Sequence, residues 1–255
     1  MLKKLVQKYT LIILLVIQPF VTVFEVAAQS ADKESDFQLV HELHYLEREP
    51  GVDDFEVTML VSDRYIRIDE IGDDSGFIVY DDEEKVIYSV SNFDKSVLVI
   101  KEHHFTAKDS PAEFKLEYLQ LSDAPPVSGN SVFNYRAYSG EGTAEETCME
   151  VQLVENLLPE VRVLLKNYQK VVSGQQVKMV DNKITDVQTA CYFVDQIYNT
   201  GAYYEKGLPI QEWHSNERSK ILTSFKKVTV DKDKFNVPDS YNQFSIDKES
   251  KIQIR

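Results

Sequence analysis

Basic side chains are scarce in this sequence: 28 Lys and Arg stand against 42 Asp and Glu, a formal charge of −14 over 255 residues. Nucleic acid and anionic lipid surfaces require a basic patch, so neither is a partner recognised by charge. Glycine is also scarce, with nine residues, and none is spaced as in a phosphate-cradling loop. Cysteine is limited to Cys148 and Cys191, and no Asn-x-Ser/Thr sequon occurs, so N-glycosylation is not implied. After residue 28 no apolar run is long enough to span a membrane as a helix.

The apolar run that does occur lies at the start. Lys3, Lys4 and Lys8 form a positive region, Leu11 to Phe24 is apolar except for Gln18, Pro19 and Thr22, and Val26-Ala27-Ala28 places compact residues before Gln29. This is the pattern of a cleavable secretory signal over residues 1–28. The competing reading, an uncleaved anchor, meets a run shorter than the roughly 20 residues a spanning helix needs. Pro19 would also interrupt such a helix. The mature chain, 29–255, then carries 25 basic and 41 acidic side chains, a formal charge of −16. Its expected location is the periplasm of a bacterial envelope or the exterior. In an oxidising compartment the even pair Cys148 and Cys191 is expected to form a disulfide across the predicted helix; the alternative is two separate buried thiols.

From Phe37 to about Asp123 the residues alternate with period two. Leu39, His41, Leu43 and Tyr45 interleave with Val40, Glu42 and His44, and Phe55, Val57, Met59 and Val61 with Glu56 and Thr58. Such alternation puts one strand face on a core and the other in water. Short runs at Phe77–Tyr80, Val86–Val90 and Ser96–Ile100 are separated by turn residues, which implies an antiparallel meander, with a further strand at Phe114–Leu121. A helical stripe follows: Leu157, Val161, Leu164, Tyr168 and Val171, with Pro159 and Glu160 in the first turn, predict a helix over Leu157–Ser173, ended by Ser173-Gly174. Val187–Tyr198 fits a helix or a buried strand. Gly207–Trp213 and Lys220–Val230 read as two strands, and the polar residues from about 243 as a loose tail. The fold class expected is α+β: an antiparallel meander forming a half-barrel-like sheet packed on one main helix, in a single β-rich domain.

This order of elements, closed by Phe235-Asn236-Val237-Pro238-Asp239-Ser240-Tyr241, resembles the LolA-like periplasmic lipoprotein carriers and related exported proteins of unknown function. The resemblance covers Phe37 to Tyr241. It implies a half-barrel enclosing an apolar cavity, with a lipid or lipoprotein as partner. Two features depart from it: the chain is longer than a typical carrier, and the Cys148–Cys191 pair has no counterpart there. Fold alone does not fix function.

Catalytic and metal motifs are wanting. His41-Glu42-Leu43-His44 has its histidines at i and i+3 in an alternating strand, which sends the rings to opposite faces instead of to one zinc ion. His103-His104 diverge in the same way. Tyr138-Ser139-Gly140-Glu141-Gly142 is a loop without the nucleophile-elbow pattern. Asp81-Asp82-Glu83-Glu84 lacks the spaced oxygens of a calcium loop. A paired Cys148–Cys191 leaves no thiol nucleophile, whereas paired carboxylates for glycosidase chemistry stay open among so many acids. Aromatic residues crowd the second half. Tyr192, Phe193, Tyr198 and Trp213 are the candidate lining of an apolar site, with Tyr203 and Tyr204 nearby; ordinary core packing is the alternative. The expectation is a non-enzymatic exported protein without cofactors, binding a lipid or other apolar ligand. An envelope interaction or scaffold module and an unrecognised hydrolase are the other readings.

Overall fold

The alternating runs become strands that extend well beyond a local meander. The computed structural model describes residues 36–72, 75–106, 110–140, 145–181 and 189–245. The expected signal segment, 1–28, and the end of the expected tail lie outside the described residues. Ser35–Arg255 form one compact unit.

The first six strands are β1 (Phe37–Arg48), β2 (Phe55–Val61), β3 (Tyr65–Glu70), β4 (Gly76–Asp81), β5 (Val86–Ser91) and β6 (Ser96–Lys101). They pair in sequence order, all antiparallel. A second block holds β7 (Phe114–Gln120), β8 (Val132–Ser139), β9 (Glu146–Val154), β10 (Leu208–His214) and β11 (Ser219–Asp231). The blocks join where β1 pairs with β11 over twelve register positions, from Phe37 opposite Asp231 to Arg48 opposite Ser219. The last strand, β12 (Asn242–Phe244), lies parallel to β6. The sheet order is β12-β6-β5-β4-β3-β2-β1-β11-β10-β9-β8-β7.

The main helix, α1 (Pro159–Asp181), begins where Pro159 and Glu160 suit a first turn and buries Val161, Leu164, Leu165 and Val171. It does not stop at Ser173. Gly174 sits inside it, where a Cβ would lie 2.6 Å from the carbonyl oxygen of His103. The glycine allows helix and chain to touch instead of ending the helix. After residues outside the described set, α2 (Ala190–Tyr192) starts with the Thr189 hydroxyl accepting the Tyr192 amide at 3.1 Å. It continues as one wider π-helical stretch, Phe193–Tyr198, so the segment open to two readings is helical. Short 3₁₀ turns follow at Ala202–Glu205 and Lys232–Phe235.

The expected fold class is therefore corrected. The sheet is not a simple antiparallel meander on one main helix: it is a twelve-stranded mixed sheet, and its helical material is divided among α1 and several short turns. Local alternation could not show that the free edge of β1 is completed by a strand almost at the other end of the chain. The strands β8 and β9 are additions to the expected set, although Met149, Val151 and Leu153 alternate with Glu150 and Gln152 in β9. Asn242–Phe244, at the edge of the expected tail, is a strand.

The core lies between one sheet face and α1, with Leu43, Ile66, Tyr80, Val151, Leu153 and Leu208 among its buried residues. A smaller cluster of Val40, Leu60 and Phe235 is separate. There Phe235 of the closing motif stacks on Tyr65 at 5.6 Å, and Tyr241 donates a hydrogen bond to Asn92 at 3.2 Å. Cys148 in β9 and Cys191 in α2 are disulfide-bonded, with Cα atoms 4.7 Å apart, which fastens the short helical region to the sheet. A disulfide suits a chain that folds in an oxidising compartment. Among the described residues no helix is long and apolar enough to cross a membrane.

Candidate functional site

Between sheet and helix lies a cavity of about 530 Å³ bounded by β1 to β5, β10, the start of β11, α1 and the helical turns after α2. Its two ends differ in chemistry. Val57, Met59, Ile68, Leu165 and Val172 form an apolar part. Strand alternation supplies Val57 and Met59 from β2, and the apolar stripe of α1 supplies Leu165 and Val172.

The other end is polar and aromatic. In β10, Glu212 and His214 point inward while Trp213 between them is 38% exposed. Asp195, 2% exposed, comes from the π-helical stretch. His214 Nδ1 lies 2.7 Å from Asp195 Oδ1, and its Nε2 stands 3.8 Å from Glu212 Oε2. The Tyr203 hydroxyl donates to the same Glu212 oxygen at 2.9 Å. Gln196 donates to the second oxygen of Asp195 at 2.8 Å. Burial works against protonation of His214, but its hydrogen bond to Asp195 and the charges of Asp195 and Glu212 raise its pKa above the ordinary histidine value. Burial first, then the charge of Glu212, pushes the hydroxyls of Tyr45, Tyr203 and Tyr204 up, so all three remain neutral phenols. Tyr168 is pushed up to about 12 by burial and Glu47. Lys220 completes this end, 2.9 Å from Glu47 and 4.3 Å from the Tyr45 ring centre.

None of the four aromatic residues expected to line a site borders this cavity. Phe193 lines a separate hollow of about 480 Å³, and Tyr198 another of about 300 Å³ beside Phe105. Tyr192 donates its hydroxyl to Gln176 at 3.0 Å, and Trp213 faces outward. The reason is direction: β10 sends alternate residues to opposite faces, so Trp213 is turned away by the geometry that turns Glu212 and His214 inward. Tyr203 and Tyr204, in the same aromatic cluster, do reach the cavity. The alternation Glu212-Trp213-His214 is the signal in the sequence for the polar pair.

The histidine motif separates as strand geometry requires. His41 is buried and bonds Glu160 at 2.8 Å, whereas His44 bonds Glu42 at 2.7 Å. The acidic turn is occupied by its own protein partners. Arg64 clasps both oxygens of Asp81 at 2.9 and 2.6 Å, and Asp82 accepts from Lys85, Tyr80 and Asn167. No group of three or more metal-ligating side chains gathers among the described residues. Ser139 ends β8.

No protein-family model and no curated protein matches the chain. Among solved structures it is similar to PNGF-II, at 12% identity over 83% of this chain, with a TM-score of 0.39. The chain spans 31% of the PNGF-II length. It is also similar to an uncharacterized conserved protein from Thermus thermophilus, at 9% identity over 82% of this chain and 90% of that one, with a TM-score of 0.36. Likenesses this distant say nothing about what this chain binds or does.

Proposed function

We propose that this is an exported, non-enzymatic binding protein of the bacterial envelope, which holds an amphipathic ligand such as a lipid in the cavity between sheet and α1. The observation that carries the reading is the cavity itself: about 530 Å³, apolar along β2 and α1, and polar at β10. That volume falls in the range of small-molecule sites, which bury most of a ligand in apolar surroundings and orient it with a few polar groups. The sheet side chains leave this space open. The ligand's chain lies along Val57, Met59 and Leu165, and its head group toward Glu212.

Native mass spectrometry of the protein purified from its own host tests this. The expected species begins at Gln29, has one disulfide, and retains a non-covalent apolar molecule that organic solvent releases. Ile68→Trp, which fills the apolar part, should abolish retention while the melting transition persists. A wild-type protein that carries no such molecule and takes up neither fatty acids nor phospholipids would end the proposal.

A further inference from the structure

The cations on the cavity wall are already committed. Arg48 grips Asp54 through two hydrogen bonds of 2.8 Å, Arg218 lies 2.7 Å from Glu49, Lys220 2.9 Å from Glu47, and His214 2.7 Å from Asp195. Among the described residues the one cation recorded beside Glu212 is His214, which it shares with the closer Asp195. Glu212 is 6% exposed, accepts one hydrogen bond from Tyr203, and lies 3.8 Å from His214 Nε2, beyond hydrogen-bond reach. Even with His214 protonated, Asp195 and Glu212 together leave one negative charge in excess. A carboxylate offers about four acceptor positions, and burying one without a countercharge is unfavourable. A cation entering through the cavity would supply the countercharge.

The surroundings of Glu212 suit such a partner. Tyr203 donates to it at 2.9 Å, the Tyr203 ring lies 4.9 Å from that of Tyr204, and Tyr45 lines the same cavity. The face of an aromatic ring attracts ammonium ions, and the chain already uses Tyr45 in this way, with Lys220 4.3 Å from the ring centre. An anionic head group would meet Glu212 with no uncommitted cation among the described wall residues to receive it.

We infer that Glu212, among the tyrosines of the polar end, binds the ammonium head of a cationic amphiphile. The inference deepens the cavity reading above and rests on it. It is tested by calorimetric titration of the purified protein with dodecyltrimethylammonium, dodecanol and dodecanoate below their micellar concentrations. Dodecyltrimethylammonium should bind about tenfold more tightly than dodecanol, equivalent to about 1.4 kcal/mol, with dodecanoate weakest. Glu212→Gln should bring the cationic amphiphile to within about twofold of dodecanol. Tyr203→Phe, which removes the hydroxyl competing for Glu212, should preserve or strengthen the cationic preference, and it decides the matter if Glu212→Gln does not fold. Dodecanoate binding as tightly as the cation, or a preference that survives Glu212→Gln, overturns the head-group assignment while the cavity stands. If none of the three amphiphiles binds, the cavity reading falls and the head-group assignment with it.

Discussion

At His214, burial and charge act against one another, and the charge of Asp195 prevails. A histidine whose folded pKa lies above its unfolded value of about 6.5 stabilises the protein fully below that value. The contribution is then lost as pH rises through the folded pKa. The difference in melting temperature between the wild type and Asp195→Asn should accordingly be largest near about pH 6 and shrink by about pH 9. A difference that stays constant over this interval would mean that His214 carries no charge worth pairing. At this scale the sequence is partly legible. The separation of His41 from His44 follows from strand period alone. The inward pair Glu212 and His214 obeys the same period, but Trp213 between them, the residue singled out by its aromatic bulk, lies on the opposite face from this cavity. Asp195 is not legible at all: its approach to His214 depends on the π-helical stretch, and nothing in Phe193-Val194-Asp195-Gln196 announces one extra residue per turn.

Helix α1 shows how an element can be identified correctly and bounded wrongly. The stripe of Val161, Leu164, Leu165 and Val171 marks it, and Ser173-Gly174 suggests its end, yet it runs to Asp181. Glycine inside a helix ordinarily costs about 0.5–1 kcal/mol relative to alanine, so Gly174→Ala would stabilise an isolated helix. Here the added methyl would sit 2.6 Å from the His103 carbonyl oxygen and 3.0 Å from its Cβ. The sign should therefore reverse, with Gly174→Ala lowering stability by about 1–3 kcal/mol as the two segments are forced apart. Chemical denaturation reads this directly, and an alanine variant as stable as the wild type would show that the contact between helix and chain is loose. Sequence propensity describes a glycine only in relation to its own helix. The neighbour that makes it necessary lies some 70 positions away.

On the scale of the molecule, six strands of the meander are legible, because each alternates and each is followed by a turn. The twelve-stranded sheet is not, because the contact that unites its two blocks joins β1 to β11 and leaves no local trace. The disulfide between Cys148 and Cys191 belongs to this scale as well, since it ties α2 to β9 across a separation of 43. Replacing both cysteines with alanine should cost about 4 kcal/mol at most on the chain-entropy account. Urea unfolding of the double variant under oxidising conditions measures it. A loss below about 1 kcal/mol would mean that the unfolded ensemble already holds the two ends of this loop together.

The seam between β1 and β11 also sets an order of events. Phe37 and Asp231 are paired although 231 − 37 = 194 positions separate them. A chain delivered amino end first, at about 5–20 residues per second, exposes β1 roughly 10–40 s before its partner emerges. Throughout that interval one edge of β1 has its amides and carbonyls unanswered, an invitation to pair with any neighbouring chain. The residues that close the sheet are made only after the ten strands that precede them, so the open edge of β1 persists while all of those are laid down.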